Sequence, residues 1–203
     1  MKLNLKDIQK YLFPLKRLFT KYRPIRSVDQ VKNFIQEQSA QVSQMTLYGY
    51  LKTRMGAKHV IMFEDKDFLN SINIAKWHIY AASLIDCTFF CFSFLYKEKK
   101  IEKIEDANKV FFEILNSEKA NGMILDAYEG ATKEFNSRYP NIDWSSYCNS
   151  KPFEYCCNEL YNWSPIADEL KKLDKKIVIN SMFLKWNNVQ NEFKRLTNKF
   201  SNT

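Results

Sequence analysis

The sequence predicts an all-α protein with the architecture of a helical bundle. Only four glycines and five prolines occur in 203 residues, which leaves little of the turn chemistry that a multi-stranded sheet needs. Apolar residues also recur at steps of three and four along most of the chain, as they do on the buried faces of helices. With 45% hydrophobic residues, the chain can bury a complete core within one domain.

The first 26 residues concentrate the excess of positive charge. They contain eight of the 31 basic residues and one of the 23 acidic residues, so that their net charge is +7 while that of residues 27–203 is +1. We therefore divide the chain into a basic extension, residues 1–26, and a helical domain, residues 27–203. Pro14 would kink or restart a helix in the basic extension. Its apolar residues nevertheless follow helical spacing: Leu5, Ile8, Leu12, Leu15, Phe19 and Tyr22.

The basic extension is a candidate docking element. A basic amphipathic helix can bind an anionic membrane surface, and it can equally bind acidic protein or phosphate. The alternative is that its apolar stripe packs on the helical domain while its lysines stay in water. A cleaved targeting peptide has the same character. The candidate contact residues are Lys6, Lys10, Arg17, Lys21 and Arg23.

Capping residues predict where the next two helices begin. Ser27 can act as the N-cap of a first helix, with Asp29 in its first turn and Gly56 at its end. The acidic cluster in residues 64–67 predicts the start of a second helix, because negative charge is favoured at a helix N-terminus. The second helix contains residues 79–96, IYAASLIDCTFFCFSFLY, which are apolar on nearly every face.

Residues 79–96 have the composition of a membrane span or of the central helix of a bundle. They are 18 residues long, slightly short of the roughly 20 that a spanning helix needs. Asp86 would cost on the order of 2.5 to 3.5 kcal/mol at the centre of a bilayer. We therefore predict a central helix with neighbours on all sides.

Asp86 then requires a partner, because a buried carboxylate must be paired, hydrogen-bonded or protonated. Arg54 is the preferred partner, since a guanidinium group binds a carboxylate through two parallel hydrogen bonds. His78 is a second candidate for the partner of Asp86. We therefore predict that Asp86, Arg54 and His78 are buried polar residues. The basic residues nearest in sequence are Lys52, Arg54, His59, Lys76 and His78.

The middle of the chain predicts two shorter helices and a connector. A helix starts near Glu105, after a charged linker, and stops at the Asn-Gly pair of residues 121–122. A short helix over residues 127–139 follows. Residues 139–163 concentrate aromatic residues, asparagine, serine and proline, which is typical of short turns held by large side chains. Stacking of nucleotide bases is the alternative, but such a platform normally adds a basic groove and this segment has one lysine.

Ser164 and Pro165 predict the start of the last helix, as N-cap and first helical residue. No glycine or proline follows in the sequence, so one helix can extend from Pro165 to Thr203. A break near Asn180, giving two ordinary helices, is the alternative.

The apolar residues of the last helix form two stripes, so its halves present different faces. One half can close the bundle while the other contacts the basic extension, a second subunit or a larger complex. We predict Trp186 and Phe193 as partner contacts. The first stripe is Ile166, Leu170, Leu173 and Ile177. The second is Val178, Met182, Trp186, Val189, Phe193, Leu196 and Phe200.

The sequence contains no recognisable catalytic motif. The patterns GxSxG and GxGxxG and the glycine-rich phosphate loop are absent. The two histidines, His59 and His78, form no metal-binding pair. We therefore predict no catalytic residue, no cofactor and no metal.

The five cysteines are an odd number, and no secretory signal precedes them. We therefore predict reduced and buried thiols rather than disulfides. We expect the protein in the cytoplasm or in an organelle matrix, where it could also lie at the surface of the inner membrane. We do not expect it to be secreted. The cysteines are Cys87, Cys91, Cys148, Cys156 and Cys157.

Two stretches carry a resemblance to a known family. They are TLYGYLKTRMGAKHVIMFEDKDFLNSINIAKW, from Thr46, and WSPIADELKKLDKKIVINSMFLKW, from Trp163. They resemble a family of small alphaproteobacterial proteins of unknown role, some of which carry the label "esterase". The resemblance implies an alphaproteobacterial or organelle-related source and supplies no catalytic residues to carry over.

We predict an accessory or adaptor protein that docks its helical body to a larger, membrane-associated complex through the basic extension. The last helix would be the second contact surface. The oligomeric state is left open.

Two alternatives come from other functional classes. A small-molecule binder or hydrolytic enzyme would need a pocket near Tyr50, Arg54, His78 and Asp86, with Asp86 perturbed and without a charged partner. A nucleic-acid-binding module would need the basic face to continue onto the body, and the small net charge of residues 27–203 argues against it.

Overall fold

The fold was analysed in a computed structural model, which describes residues 24–56 and 64–200. Within these ranges the chain forms six α-helices packed against each other and no strand. The predicted all-α helical bundle is therefore confirmed. The helices are α1 (Val28–Met55), α2 (Lys66–Lys97), α3 (Glu105–Ala120), α4 (Leu125–Arg138), α5 (Glu154–Trp163) and α6 (Asp168–Leu196). Short 3-10 turns occupy Tyr139–Asn141, Tyr147–Asn149 and Thr197–Lys199.

Helix α2 is the centre of the bundle. It packs against α1, α3, α4 and α5, and its Phe90 ring lies 6.0 Å from that of Phe193 on α6. Every residue from 79 to 93 is buried. In the described ranges, α2 is the one helix long and apolar enough to cross a membrane, and 89% of its apolar window is buried inside the protein. This agrees with the prediction of a central helix surrounded by neighbours.

Local capping signals place the helix ends as predicted. The Ser27 side chain accepts a hydrogen bond from the backbone N–H of Gln30 at the start of α1. The Asp65 carboxylate accepts the N–H groups of Asp67 and Phe68 at the start of α2. Gly122 follows α3 with φ of 95°, a left-handed conformation that glycine adopts without strain.

The start of the last helix was predicted wrongly. Helix α6 begins at Asp168 rather than Pro165. The Ser164 hydroxyl donates to the backbone oxygen of Leu160 over 2.5 Å, so that it closes α5 instead of capping α6. Helix α6 then continues without a break through Asn180 to Leu196.

The segment predicted as a connector of short turns contains a helix in its second half. Within residues 139–163, the 3-10 turns come first and α5 follows. Its buried residues share one face at helical spacing, and this face packs against α2 and α6. The abundance of asparagine, serine and proline in the segment hid this spacing. The buried residues are Phe153, Cys156, Cys157 and Leu160.

The contact between Phe153 and Trp186 joins α5 to α6. Both side chains are fully buried, and their rings stack at 4.2 Å. We expect Phe153→Ala to lower the free energy of unfolding by about 3–5 kcal/mol, because it removes apolar contacts and leaves a cavity. Urea-induced unfolding followed by circular dichroism measures this loss.

The matched control is Leu125→Ala, since the Leu125 side chain is 57% exposed. A change within about 0.5 kcal/mol is expected there. A loss below about 1 kcal/mol for Phe153→Ala would show that the stacked pair is not part of a tightly packed core.

Candidate functional site

The buried carboxylate of Asp86 is the most unusual polar group in the core. It lies in the middle of α2 and is fully buried. Its Oδ1 lies 2.9 Å from Nη2 of Arg138, the last residue of α4. Its Oδ2 accepts the backbone N–H of Cys156, in the first turn of α5, over 2.8 Å. Asp86 therefore holds two other helices against α2. The prediction that Arg54 would be its partner was wrong.

Aromatic rings hold the Arg138 guanidinium group in place. Its central carbon lies 5.2 Å from the Phe89 ring and 5.0 Å from the Tyr155 ring. Flat guanidinium groups stack favourably on such rings. Nη2 also donates to the Tyr147 hydroxyl over 3.0 Å, which itself donates to the backbone oxygen of Pro152 over 2.9 Å. Both members of the ion pair are thus fixed by neighbours.

Burial dominates the ionisation of this cluster. It raises the pKa of Asp86 to about 6, although Arg138 and the Cys156 N–H act in the opposite direction. Burial also raises the pKa of Tyr147 and Tyr155 and that of the Cys156 thiol. A nucleophilic cysteine needs a lowered pKa. The cluster is therefore arranged for structure rather than for nucleophilic chemistry.

A surface cleft of about 420 Å³ lies beside Arg138 and Tyr147. Its hydroxyl groups are used to hold the turns that form its wall. The Ser150 hydroxyl donates to the backbone oxygen of Tyr147 over 2.7 Å, and that of Ser146 donates to Asp143 over 2.6 Å. These groups therefore do not converge on a common ligand position.

The other residues predicted near Asp86 lie in separate contacts. Arg54 forms an ion pair with Asp174 of α6, with Nη2 and Oδ1 2.8 Å apart. The Tyr50 hydroxyl donates to the same carboxylate over 3.1 Å. Together these contacts tie the end of α1 to the first half of α6. His59 lies outside the described residues.

His78 belongs to a third cluster, at the start of α4. Its ring stacks on Trp163 with centroids 3.5 Å apart, and Nε2 lies 3.1 Å from Oδ2 of Asp126. Burial lowers the pKa of His78 against the opposing effect of Asp126. Tyr50, Arg54, His78 and Asp86 are therefore not brought together into one pocket.

Helix α6 has an inner and an outer face. Trp186 and Phe193, predicted as partner contacts, are fully buried on the inner face. Trp186 stacks on Phe153, and the Phe193 ring lies 5.0 Å from that of Phe34 on α1. These two residues therefore complete the core and are not on the surface.

The outer face of the first half of α6 is apolar and exposed. The exposed fractions of its side chains are 42% for Leu170, 75% for Leu173, 71% for Ile177 and 65% for Leu184. We call these four residues the outer face. Three of them belong to the first predicted stripe, whereas Trp186 and Phe193 of the second stripe are buried, so the two stripes lie on different faces of the helix. Leu184 was missed, although it follows Ile177 by seven positions.

The candidate contact residues of the basic extension lie outside the described residues. They are Lys6, Lys10, Arg17, Lys21 and Arg23. The described chain begins next to the end of α6, where the N–H of the buried Ile25 donates to the backbone oxygen of Leu196 over 2.9 Å. The basic extension therefore joins the bundle at this end.

Comparisons with protein-family models, curated proteins and solved structures give no match to the chain. Among the described residues, no group of three or more histidine, cysteine, aspartate or glutamate side chains is arranged to hold a metal ion. The five cysteines are free and buried, as predicted. The family suggested by the sequence resemblance stays a prediction.

The raised pKa of Asp86 generates a test of its environment. The native state takes up a proton near pH 6, whereas an unperturbed aspartate does so near the ordinary value of 3.8. Acidification from about pH 7 to about pH 4 should therefore raise the free energy of unfolding of the wild type relative to Asp86→Asn. We expect a relative gain of about 2–3 kcal/mol, measured by urea unfolding at each pH.

Comparison with Asp86→Asn cancels the titration of the other carboxylates, which both proteins share. Glu129→Gln, at an exposed position on α4, is the matched control for removal of a charge. A difference between wild type and Asp86→Asn that stays constant or falls on acidification would contradict the burial of an ionised Asp86.

Proposed function

We propose that the chain is an accessory or adaptor protein that acts by binding other proteins rather than by catalysis. The basic extension docks the helical body to a larger, membrane-associated complex, and the outer face of α6 is a second contact surface. The observation that carries the proposal is the exposure of the outer face.

The outer face is costly to leave in water. Leu173 and Ile177 expose 75% and 71% of their side chains, and Leu170 and Leu184 lie on the same side of the helix. A surface helix normally directs charged and polar residues outward. Clustered apolar residues on a surface mark interaction sites more often than singly scattered ones. A protein partner on the outer face would remove this cost.

The charge distribution supports a role for the basic extension. Its net charge is +7, whereas that of residues 27–203 is +1. Each basic residue close to an anionic lipid surface contributes roughly 1 kcal/mol. The attraction of the chain to a negatively charged surface is therefore concentrated in this one segment.

The two alternative functions have less support. The enzyme alternative required an Asp86 without a charged partner, and Arg138 lies 2.9 Å away. The nucleic-acid alternative required the basic face to continue onto the body, whose net charge is close to zero. Both stay predictions that no observation favours.

Neutralising the basic extension should abolish docking. We expect full-length chain with five extension residues replaced by glutamine to lose its partner chains in a pull-down from native membranes, quantified by mass spectrometry. The electrostatic attraction would be weakened while the helical domain stays unchanged. The five residues are Lys6, Lys10, Arg17, Lys21 and Arg23.

The control variant replaces five exposed lysines of the body by glutamine, which removes the same positive charge at other positions. It should recover the same chains as the wild type. Equal recovery by all three proteins, or equal loss in both variants, would contradict docking through the basic extension. The control lysines are Lys97, Lys103, Lys109, Lys133 and Lys151.

A further inference from the structure

The outer face of α6 is complementary to a second copy of itself. We propose that two copies of the chain pair through the first halves of their α6 helices, in antiparallel orientation, with Leu170 of each copy against Leu173 of the other. This inference rests on the proposed role of the outer face as a contact surface and names its occupant.

The spacing of the outer face suits pairing with another helix. Leu170, Ile177 and Leu184 are seven residues apart, and Leu173 lies between the first two. This is the a/d pattern of a two-helix seam. An antiparallel arrangement centred between Leu170 and Leu173 also places Ile177 of each copy near the half-buried Ile166 of the other. Between Ile166 and Ile177, apolar side chains then meet apolar side chains, and Leu184 lies beyond this paired segment.

The charges around the outer face favour the antiparallel orientation. The first turn of α6 is acidic, with Asp168 and Glu169, while Lys175 and Lys176 follow two turns later. Glu169 and Lys176 are seven residues apart and therefore lie along the same edge of the outer face. Both are exposed, and neither forms an ion pair with another described residue. Antiparallel pairing places Glu169 of each copy beside Lys176 of the other, whereas parallel pairing places like charges together.

The same edges are less suited to a lipid surface. A membrane-binding helix has lysine and arginine on both sides of its apolar face. Here one edge carries Glu169 as well as Lys176. The other edge carries Asp174, whose carboxylate is bound by Arg54 and Tyr50, and Lys185. Because each edge carries both acidic and basic residues, it is complementary to the same edge of a second copy that runs in the opposite direction.

The length of the apolar contact limits the affinity of the dimer. The paired layers run from Ile166 to Ile177, 11 residues apart, so the apolar contact is about 17 Å long. Polar residues continue the same side of α6 beyond it, namely Asn187, Asn188 and Asn191. One short helix pair buries less than the 1,200–2,000 Å² that is typical of stable interfaces. The dimer is therefore weak and forms reversibly with concentration.

Pairing would make the adaptor bivalent. Each basic extension joins its own bundle beside Leu196, because Ile25 is hydrogen-bonded there. In an antiparallel pair centred near residue 172, the two Leu196 positions are roughly 70 Å apart along the helix axes. The two extensions would engage separate sites, and such linkage strengthens binding without any new contact.

Sedimentation velocity of the full-length chain over a range of concentrations tests self-association. We expect the wild type to shift from monomer to dimer, and the double variant L173Q/I177Q to stay monomeric at every concentration. Both positions are largely exposed, so the folded monomer should be unaffected. Leu125→Gln, on the exposed surface of α4, is the matched control and should dimerise like the wild type.

Charge exchange tests the edge contacts. Lys176→Glu should weaken the dimer by about threefold to tenfold, because it replaces two attractive contacts by two repulsive ones. The double variant E169K/K176E should restore the wild-type association, since each copy then presents the reversed pair. A surface residue with a merely structural role would show no such rescue.

Cross-linking tests the orientation. The native cysteines are buried, so one engineered cysteine can be modified selectively. A short bis-maleimide should link Leu173→Cys chains into dimers. Asn191→Cys should not be linked, because the two positions would lie roughly 58 Å apart in the antiparallel pair.

Three results would overturn the inference: a wild type that stays monomeric at its highest soluble concentration, a dimer that persists in L173Q/I177Q, or equal cross-linking of the two cysteine variants. The pull-down separates this failure from that of the proposed function. A monomer that still recovers its partner chains through the basic extension refutes the pair and leaves the adaptor role standing.

Discussion

The arrangement of the helices depends on the buried carboxylate of Asp86. Apolar contacts are non-directional, so a helix such as α2, apolar on nearly every side, does not by itself define which neighbour lies where. Asp86 supplies that direction, because its two oxygens are taken by Arg138 of α4 and by the backbone N–H of Cys156 in α5. Leaving one member of a buried ion pair without the other costs about 3–5 kcal/mol. Alternative packings that separate them are therefore disfavoured.

Other polar groups of α2 repeat this role along the helix. The Ser83 hydroxyl lies 2.9 Å from that of Ser43 and aligns α1 with α2. The Ser93 hydroxyl donates to the backbone oxygen of Trp144 and accepts the N–H of Cys148, each over 2.9 Å. It thereby holds the irregular segment between α4 and α5 against the core. The polar residues that weaken α2 as a membrane span are the residues that define its neighbours in the bundle.

The consequence for function is a division between a closed interior and an open surface. In the interior, Asp86 is paired with Arg138 and accepts the backbone N–H of Cys156. Burial raises the pKa values of Tyr147 and of the Cys156 thiol, which disfavours their nucleophilic forms. At the surface of the described residues, the outer face of α6 is exposed. Arg54 and Asp174 hold this part of α6 on α1. This arrangement is the basis of our proposal that the chain acts by interaction.

The sequence by itself determined the helical class, the central position of α2 and the ends of the helices whose caps are local. Ser27, Asp65 and Gly122 act on backbone groups within four residues of themselves, so their signals can be read from neighbouring positions. Only the tertiary structure decided the partner of Asp86 and the direction in which Trp186 points. Arg138 comes from a distant helix, and nothing in the spacing of the chain identifies it among the basic residues. The two stripes of α6 were visible in the sequence, but periodicity defines faces without saying which of them meets the core. That choice is made by the neighbouring helices, whose Phe34 and Phe153 cover Phe193 and Trp186 and leave Leu173 exposed.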